Sequence, residues 1–370
     1  MKPLTIRYFA HSWVSDWNHG NAHFLRGLAR ALVRLGHRVR CYEQLGAWSL
    51  ANLMRSEGER AIGAIDQFRR GFPELDIWFY NNDEHFSAFA HRELRHADLV
   101  IIHEWNDPRI VNQVLALKDQ LGFRVLLHDT HHRAYTSPRE ILKFHLHRFD
   151  GVLTFGEAIT RIYRDGFGVP RAWTLHEAAD ITSFVPLDRP KTNDVVWIGN
   201  WGDEERTLEL EEFLLRPAEQ VGARTVVHGV RYPREAVERM RKGGIEYRGY
   251  LPNLESPRVY GESRVTVHVP RRQYNNGLSG IPTIRVFEAL ACGVPLVCAP
   301  WPDTENLFSA GQDYLTAVDG RAMGAMLAEL RRDDAARRQL AAAGLATIRA
   351  RHTCAHRAEQ LVSMVEELGR

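Results

Sequence analysis

Cysteine is scarce in this chain: four in 370 residues (Cys41, Cys292, Cys298, Cys354), scattered and without a CxxC pair. That spacing excludes a zinc ribbon and a disulfide framework and fits a reducing compartment. An excess of one charge is missing too. Forty-eight basic and 46 acidic residues leave a formal charge of +2, so no global field grips nucleic acid or an anionic membrane, and any anion site has to be local. Long hydrophobic runs are absent. The opening MKPLTIRYFAHSW has one early lysine and a short apolar run that soon meets polar residues, which is neither a signal peptide nor a membrane span. With no tract rich in Pro, Gly or Ser, the whole chain is predicted to fold, and a cytoplasmic location is expected.

What remains is an ordinary globular composition, 44% hydrophobic and 25% charged, at a length that suits two domains. Leu4 to Ala10 reads as a strand. After a polar loop, Leu25, Leu28, Leu32 and Leu35 fall at helical spacing, Gly36 suits a helix end, and Arg38 to Tyr42 is a second strand. The alternation continues through DIWFY (76–80), DLVIIHE (98–104), FRVLLHD (123–129) and DGVLTFG (150–156). The run FVPLDRPKTN (184–193) reads as a linker. Beyond it VVWIGN (195–200), ARTVVHG (223–229), RVTVHVP (264–270), PLVCAP (295–300) and DYLTAV (313–318) alternate with helices, and the tail from Arg321 is helical. Strands alternating with helices predict parallel sheets covered on both faces, with ligands beyond the carboxyl ends of the strands.

The loops at those ends carry the chemistry-bearing residues. In IPTIRVFEALACGVPLVCAP (281–300), Pro282 starts and Gly293 ends a helix. Glu288 interrupts its apolar stripe of Ile281, Ile284 and Ala291. A carboxylate on a buried helix face needs a partner. A ribose diol is one; a turn to solvent or a pair with Arg285 is the other reading. Gly199, Asn200, Trp201 and Gly202 form a turn after the first strand of the second half, where backbone amides can approach a phosphate. Arg206, Arg271 and Arg272 stand where guanidiniums can pair with a diphosphate, and Trp201, Tyr232 and Tyr250 can stack on a base.

RVFEALACGVPLV, followed by Asp303, Glu305 and GQDYL, resembles the donor-site helix and next strand of the group-1 glycosyltransferases of the GT-B fold. The nearer resemblance is to bacterial glycosyltransferases like the spore maturation protein CgeB. GNWGDEERTLELEEFL, HGVRYP, HVPRR and HDTHHRAYTSP are similar to segments of that group, so the likeness runs through most of the chain. It implies two Rossmann-like domains with parallel sheets facing across a cleft and a helical C-terminal tail: an acceptor domain over 1–185, a nucleotide-sugar donor domain over 186–350, and a closing helix over 351–370 that packs back on the first domain. It implies transfer of a hexosyl or related sugar from a nucleoside diphosphate sugar, a UDP-sugar foremost, to a hydroxyl acceptor, with no cofactor and no metal. Glu288 matches the second glutamate of the family's E-x7-E motif, which contacts the ribose. Gly280 stands where the first would be, so sugar recognition falls elsewhere or to backbone amides of 278–281.

On the other side the loop 11–23 holds His23, a candidate general base because histidine is the side chain suited to proton transfer near neutral pH. HDTHHR (128–133) brings Asp129, His131 and His132 to a strand end beside His103 and Glu104, where they line the acceptor side, with Asp129 and His131 as candidate catalytic groups. The same cluster also reads as a metal site, and a metal-dependent hydrolase is one alternative function; a nucleotide-sugar epimerase of the same fold is another. Nucleic acid has no strong case as a partner, and membrane contact is at most peripheral.

Overall fold

The computed structural model describes residues 2–202 and 204–369; Asp203, the last residue of the GNWGD turn, lies outside them. Contacts divide the chain into two units, Met1–Glu177 with Cys354–Arg370, and Ala178–Thr353.

The first unit is built on seven strands: β1 (Thr5–Phe9), β2 (Arg38–Gln44), β3 (Asp76–Tyr80), β4 (Leu99–His103), β5 (Arg124–Asp129), β6 (Gly151–Thr154) and β7 (Ala172–Thr174). Their order is β3-β2-β1-β4-β5-β6-β7, and every neighbouring pair is parallel. Strand β4 reads LVIIH because both its faces are covered, and all five residues are buried. Each aliphatic side chain taken from water there contributes about 1.5–3 kcal/mol. The order reverses between β1 and β4, which opens a crevice at their carboxyl ends. The helix Pro108–Leu121 that leaves β4 starts at once, since Asp107 accepts the Arg109 amide and Pro108 fills the first turn. The last helix, Cys354–Glu367, packs on Ala22–Arg34, and Arg357 Nε donates to the His176 carbonyl at 2.9 Å.

The second unit has six strands: β8 (Asn193–Ile198), β9 (Thr225–His228), β10 (Glu246–Tyr247), β11 (Ser263–His268), β12 (Leu296–Cys298) and β13 (Leu315–Thr316). Their order is β10-β9-β8-β11-β12-β13, again wholly parallel. Val195, Trp197, Val227, Val265 and Val267 form its core with Met323 and Leu327 of the helix Gly320–Arg332. The order reverses between β8 and β11. The two-sheet parallel architecture is the expected one; β7 and β10, of three and two residues, are too short to show in a hydrophobic pattern. Among the described residues no helix is long and apolar enough to cross a membrane.

Candidate functional site

In the second unit the residues predicted to hold the donor gather at the carboxyl ends of β8 and β11. Gly199 prolongs β8: its amide donates to the His228 carbonyl at 2.9 Å, and its own carbonyl accepts from Trp197 Nε1 and the Tyr232 hydroxyl. Asn200 Oδ1 accepts the Val230 amide at 3.1 Å, so this turn is tied to the loop after β9. Trp201 is half-buried, its ring 5.4 Å from that of Tyr232. Gly202 has φ +92, and a β-carbon there would stand 2.8 Å from the Arg206 side chain. The turn closes over the arginine because no side chain stands between them.

Arg206 is buried against the Trp197 ring, its guanidinium carbon 5.1 Å from the ring centre. It donates to the carbonyls of Asn200 (2.5 Å) and Val269 (3.3 Å), while its Nε has no partner among the described residues. Burial, with the nearby charges of Arg271 and Arg285 added, lowers its pKa to about 9. Arg271 pairs with Glu205 and reaches the Gly202 carbonyl; Arg272 is bidentate to Glu209 at 2.6 and 3.1 Å and is largely exposed. The guanidiniums of Arg271 and Arg285 thus lie close enough to Arg206 to raise the cost of its charge.

Glu288 lies in the helix Ile284–Ala291 and is fully buried rather than turned to solvent. Asn253 Nδ2 donates to one carboxylate oxygen at 2.8 Å and Arg285 to the other, so the pairing with Arg285 is realised inside the protein. At Gly280, φ is +94 and a β-carbon would stand 2.4 Å from Thr304 Oγ1 and 3.1 Å from a Glu305 carboxylate oxygen. A glutamate at 280 therefore has no place while the Thr304–Glu305 turn stands where it does. His268 at the end of β11 donates to or accepts from Thr283 at 3.0 Å, and burial lowers its pKa to about 3.

In the first unit the polar cluster forms at the ends of β1, β4 and β5. Asp129 is fully buried; Oδ1 accepts the His131 amide at 3.0 Å and Oδ2 the Tyr163 hydroxyl at 2.7 Å. Burial raises its carboxyl to about 8, and Glu104 adds to the effect. Glu104, whose amide donates to the His128 carbonyl, is likewise fully buried and raised to about 8 by burial. Its carboxylate lies 3.0 Å from His103 Nε2 but off the line of a hydrogen bond, since that nitrogen meets Thr130 Oγ1 at 2.9 Å. His103 is lowered to about 3, and His11 and His19 are held well below 6.5, in each case first by burial. His23 is buried in the first turn of Ala22–Arg34. The His131 ring is 3.9 Å from that of His132 and 5.1 Å from that of Trp105.

The residues of HDTHHR do not aim at one point. His128 turns into the core to bond the Tyr8 hydroxyl, Asp129 is taken by Tyr163, and His132 Nδ1 meets Thr136. Among the described residues no three His, Cys, Asp or Glu side chains are placed to hold a metal ion. Adjacent positions on a strand and its following turn point in different directions, which spacing alone signalled.

Two residues of these clusters had not been singled out from sequence: His11 at the start of the first loop, and Asn253 as the second partner that fixes Glu288. For Asn253 nothing in the local sequence marks the role; Arg285 stands one turn from Glu288, which is a readable signal.

Residues 206–363 match the family described as glycosyl transferase-like. That stretch takes in Arg206, Arg271, Arg272 and Glu288 and leaves out the Gly199–Gly202 turn. No curated protein matched by sequence. Among solved structures the chain is similar to an alpha-glucosyltransferase in complex with UDP-glucose and DNA containing an abasic site (13% identity, TM-score 0.70, 99% of this chain and 100% of that one). It is similar to Anabaena HepE in complex with UDP and glucose (13%, 0.68, 98% and 100%). It is also similar to a glycosyltransferase from Rickettsia africae (10%, 0.67, 100% and 100%). Its two parallel-sheet units thus have the fold of the GT-B glycosyltransferases, and within the second of them begins a segment that carries the sequence of the glycosyl transferase-like family.

Proposed function

We propose that this protein is a glycosyltransferase that moves a hexosyl or related sugar from a nucleoside diphosphate sugar, with UDP as the nucleotide, to a hydroxyl acceptor without a metal ion. The observation that carries the reading is the group of Arg206, Arg271 and Arg285 at the carboxyl edge of the second sheet. The buried Arg206 guanidinium, whose charge Arg271 and Arg285 make costlier, is stabilised by a polyanion, and a diphosphate fits the fork geometry of arginine. Glu288, held by Asn253 and Arg285, supplies acceptors for a ribose, and Trp201 and Tyr232 offer aromatic faces for the base. UDP in the solved HepE and alpha-glucosyltransferase structures supports the choice of nucleotide.

When the bond from the sugar to the diphosphate breaks, negative charge grows on the leaving phosphate. Arginines fixed before the reaction stabilise that charge without reorganising. His131 and His23 remain the groups proposed to receive the acceptor's proton, and Asp129, raised to about 8, joins them only in its ionised fraction. The test is thermal-shift screening of the full chain with UDP, GDP, dTDP, CDP and ADP and their common sugar conjugates, with and without EDTA. Stabilisation by UDP that EDTA does not change, and that Arg206→Ala and Arg271→Ala reduce, is the expected result. No shift with any nucleotide overturns the proposal.

A further inference from the structure

We propose that the acceptor is itself a sugar, bound with one face of its ring on Trp105. The proposal rests on the reading of the protein as a glycosyltransferase and narrows the acceptor from any hydroxyl compound to a carbohydrate. Trp105 follows β4 in the crevice where the strand order of the first sheet reverses, and it is 44% exposed although its neighbours on both sides, Glu104 and Asn106, are buried. The Arg133 guanidinium lies over its ring at 4.3 Å and also donates to the Glu104 carbonyl, which fixes the indole in place. His131 stands edge-on at 5.1 Å and His11 tilts toward it at 6.2 Å. The result is an indole held by an arginine and partly exposed, which offers an aromatic surface to a ligand.

Polar groups of both kinds surround the platform. Nδ1 of His11 and Nδ1 of His103 are buried and have no partner among the described residues, and Glu104 keeps acceptor capacity on its carboxyl. His11 stacks on His103 at 5.3 Å and its ring lies 6.2 Å from the indole, so these atoms belong to one cluster with Trp105. A pyranose has the matching chemistry, with a face of C–H bonds for an aromatic ring and hydroxyls that donate and accept around its rim. A lipid or aliphatic alcohol would bury those nitrogens and the carboxyl unpaired, which costs about as much as each lost hydrogen bond. A nucleic acid would need a basic surface to offset its phosphates. The loops that follow β3, β4 and β5 carry Asp83, Glu84 and Asp107 as well as Arg109 and Arg133, so they hold no such excess.

The experiment uses the full chain and ligand-observed saturation-transfer NMR with the methyl glycosides of glucose, galactose, mannose, xylose, rhamnose and N-acetylglucosamine. At least one glycoside should receive saturation, strongest on the protons of one ring face. Trp105→Ala should weaken its binding about tenfold, as expected for loss of one aromatic platform, and Trp105→Phe should restore part of it. Trp78→Ala removes another exposed indole lying under an arginine, Arg40 at 4.4 Å, and should change nothing. The proposal is overturned if no glycoside receives saturation, if Trp105→Ala binds as the parent does, or if a labelled DNA duplex binds and Trp105→Ala is what weakens it. Nucleotide-induced thermal shift reads the other unit: a shift with UDP but no glycoside signal defeats the sugar acceptor alone, and no shift with any nucleotide defeats glycosyl transfer.

Discussion

Replacing both buried carboxyls of the first unit, as Glu104→Gln with Asp129→Asn, should change the number of protons released when the protein unfolds. Both groups stand at about 8 in the folded protein, against ordinary values of 4.5 and 3.8, because burial penalises their charged forms. A native value raised above the unfolded one means that the folded chain holds protons the unfolded chain has released. This contribution to stability is complete below the unfolded values and is lost as pH rises through about 8. At a pH of about 7.5 each carboxyl is roughly three-quarters protonated in the native state and ionised once unfolded, so the pair releases about 1.5 protons. The corresponding slope is about 2 kcal/mol of stability lost per pH unit.

Histidines act in the opposite direction. His11, His19, His103, His128, His228 and His268 are held neutral by burial, and each takes up a proton on unfolding only below its ordinary value near 6.5. At a pH of about 7.5 each contributes only roughly 0.1 proton, and Glu43, raised by burial to about 7, is common to parent and variant. Calorimetric unfolding in two buffers of different ionisation enthalpy counts the protons without assuming a single transition. The variant should release about one to two fewer than the parent. Equal counts would show that Glu104 and Asp129 are ionised in the native state, and the assignment of a neutral, proton-holding pair would fall.

Arg206→Ala should weaken UDP by roughly 30-fold, since a hydrogen-bonded charge pair contributes about 2 kcal/mol, while leaving uridine unaffected; calorimetric titration of both compounds checks it. Glu288→Ala leaves the Arg285 charge partly buried without its carboxylate, so about 3 kcal/mol of stability should go. The same change should erase the preference for UDP over its 2′,3′-dideoxy analogue, and a variant that keeps the preference removes Glu288 from the ribose site. EDTA should leave the melting temperature of the parent unchanged, because no three metal-binding side chains converge among the described residues; a clear fall would contradict the metal-free reading.

The architecture was legible because it depends on long, periodic signals. DLVIIHE and VVWIGN are buried on both faces and read as continuous apolar runs, and Leu25, Leu28 and Leu32 all face inward from their helix. The donor edge was legible for a different reason: the Gly199–Gly202 turn, Arg206 and the Glu288 helix are close in sequence to the strands they extend. How Glu288 is satisfied was not, because Asn253 lies 35 positions away. The cluster of the first unit was half legible. HDTHHR announced a polar strand end, but whether His128 faces the core or the crevice is set by its pairing with Tyr8, 120 positions away.

That asymmetry follows from how the two edges work. A diphosphate site is made from charges and backbone turns, which local sequence encodes directly. The crevice of the first unit is made from burial: Glu104 and Asp129 are ordinary carboxylic acids in the sequence and become proton holders near neutral pH because burial penalises their charged forms, against the opposing pull of Arg133 on both and of the Tyr163 hydroxyl on Asp129. Burial also keeps His11, His19 and His103 neutral, so the pocket presents uncharged donors and acceptors beside one arginine and an exposed indole. Such a pocket suits a neutral polyol far better than an ion. The chemistry proposed to separate donor from acceptor would therefore be written in charge on one sheet edge and in desolvation on the other, and only the first can be read residue by residue.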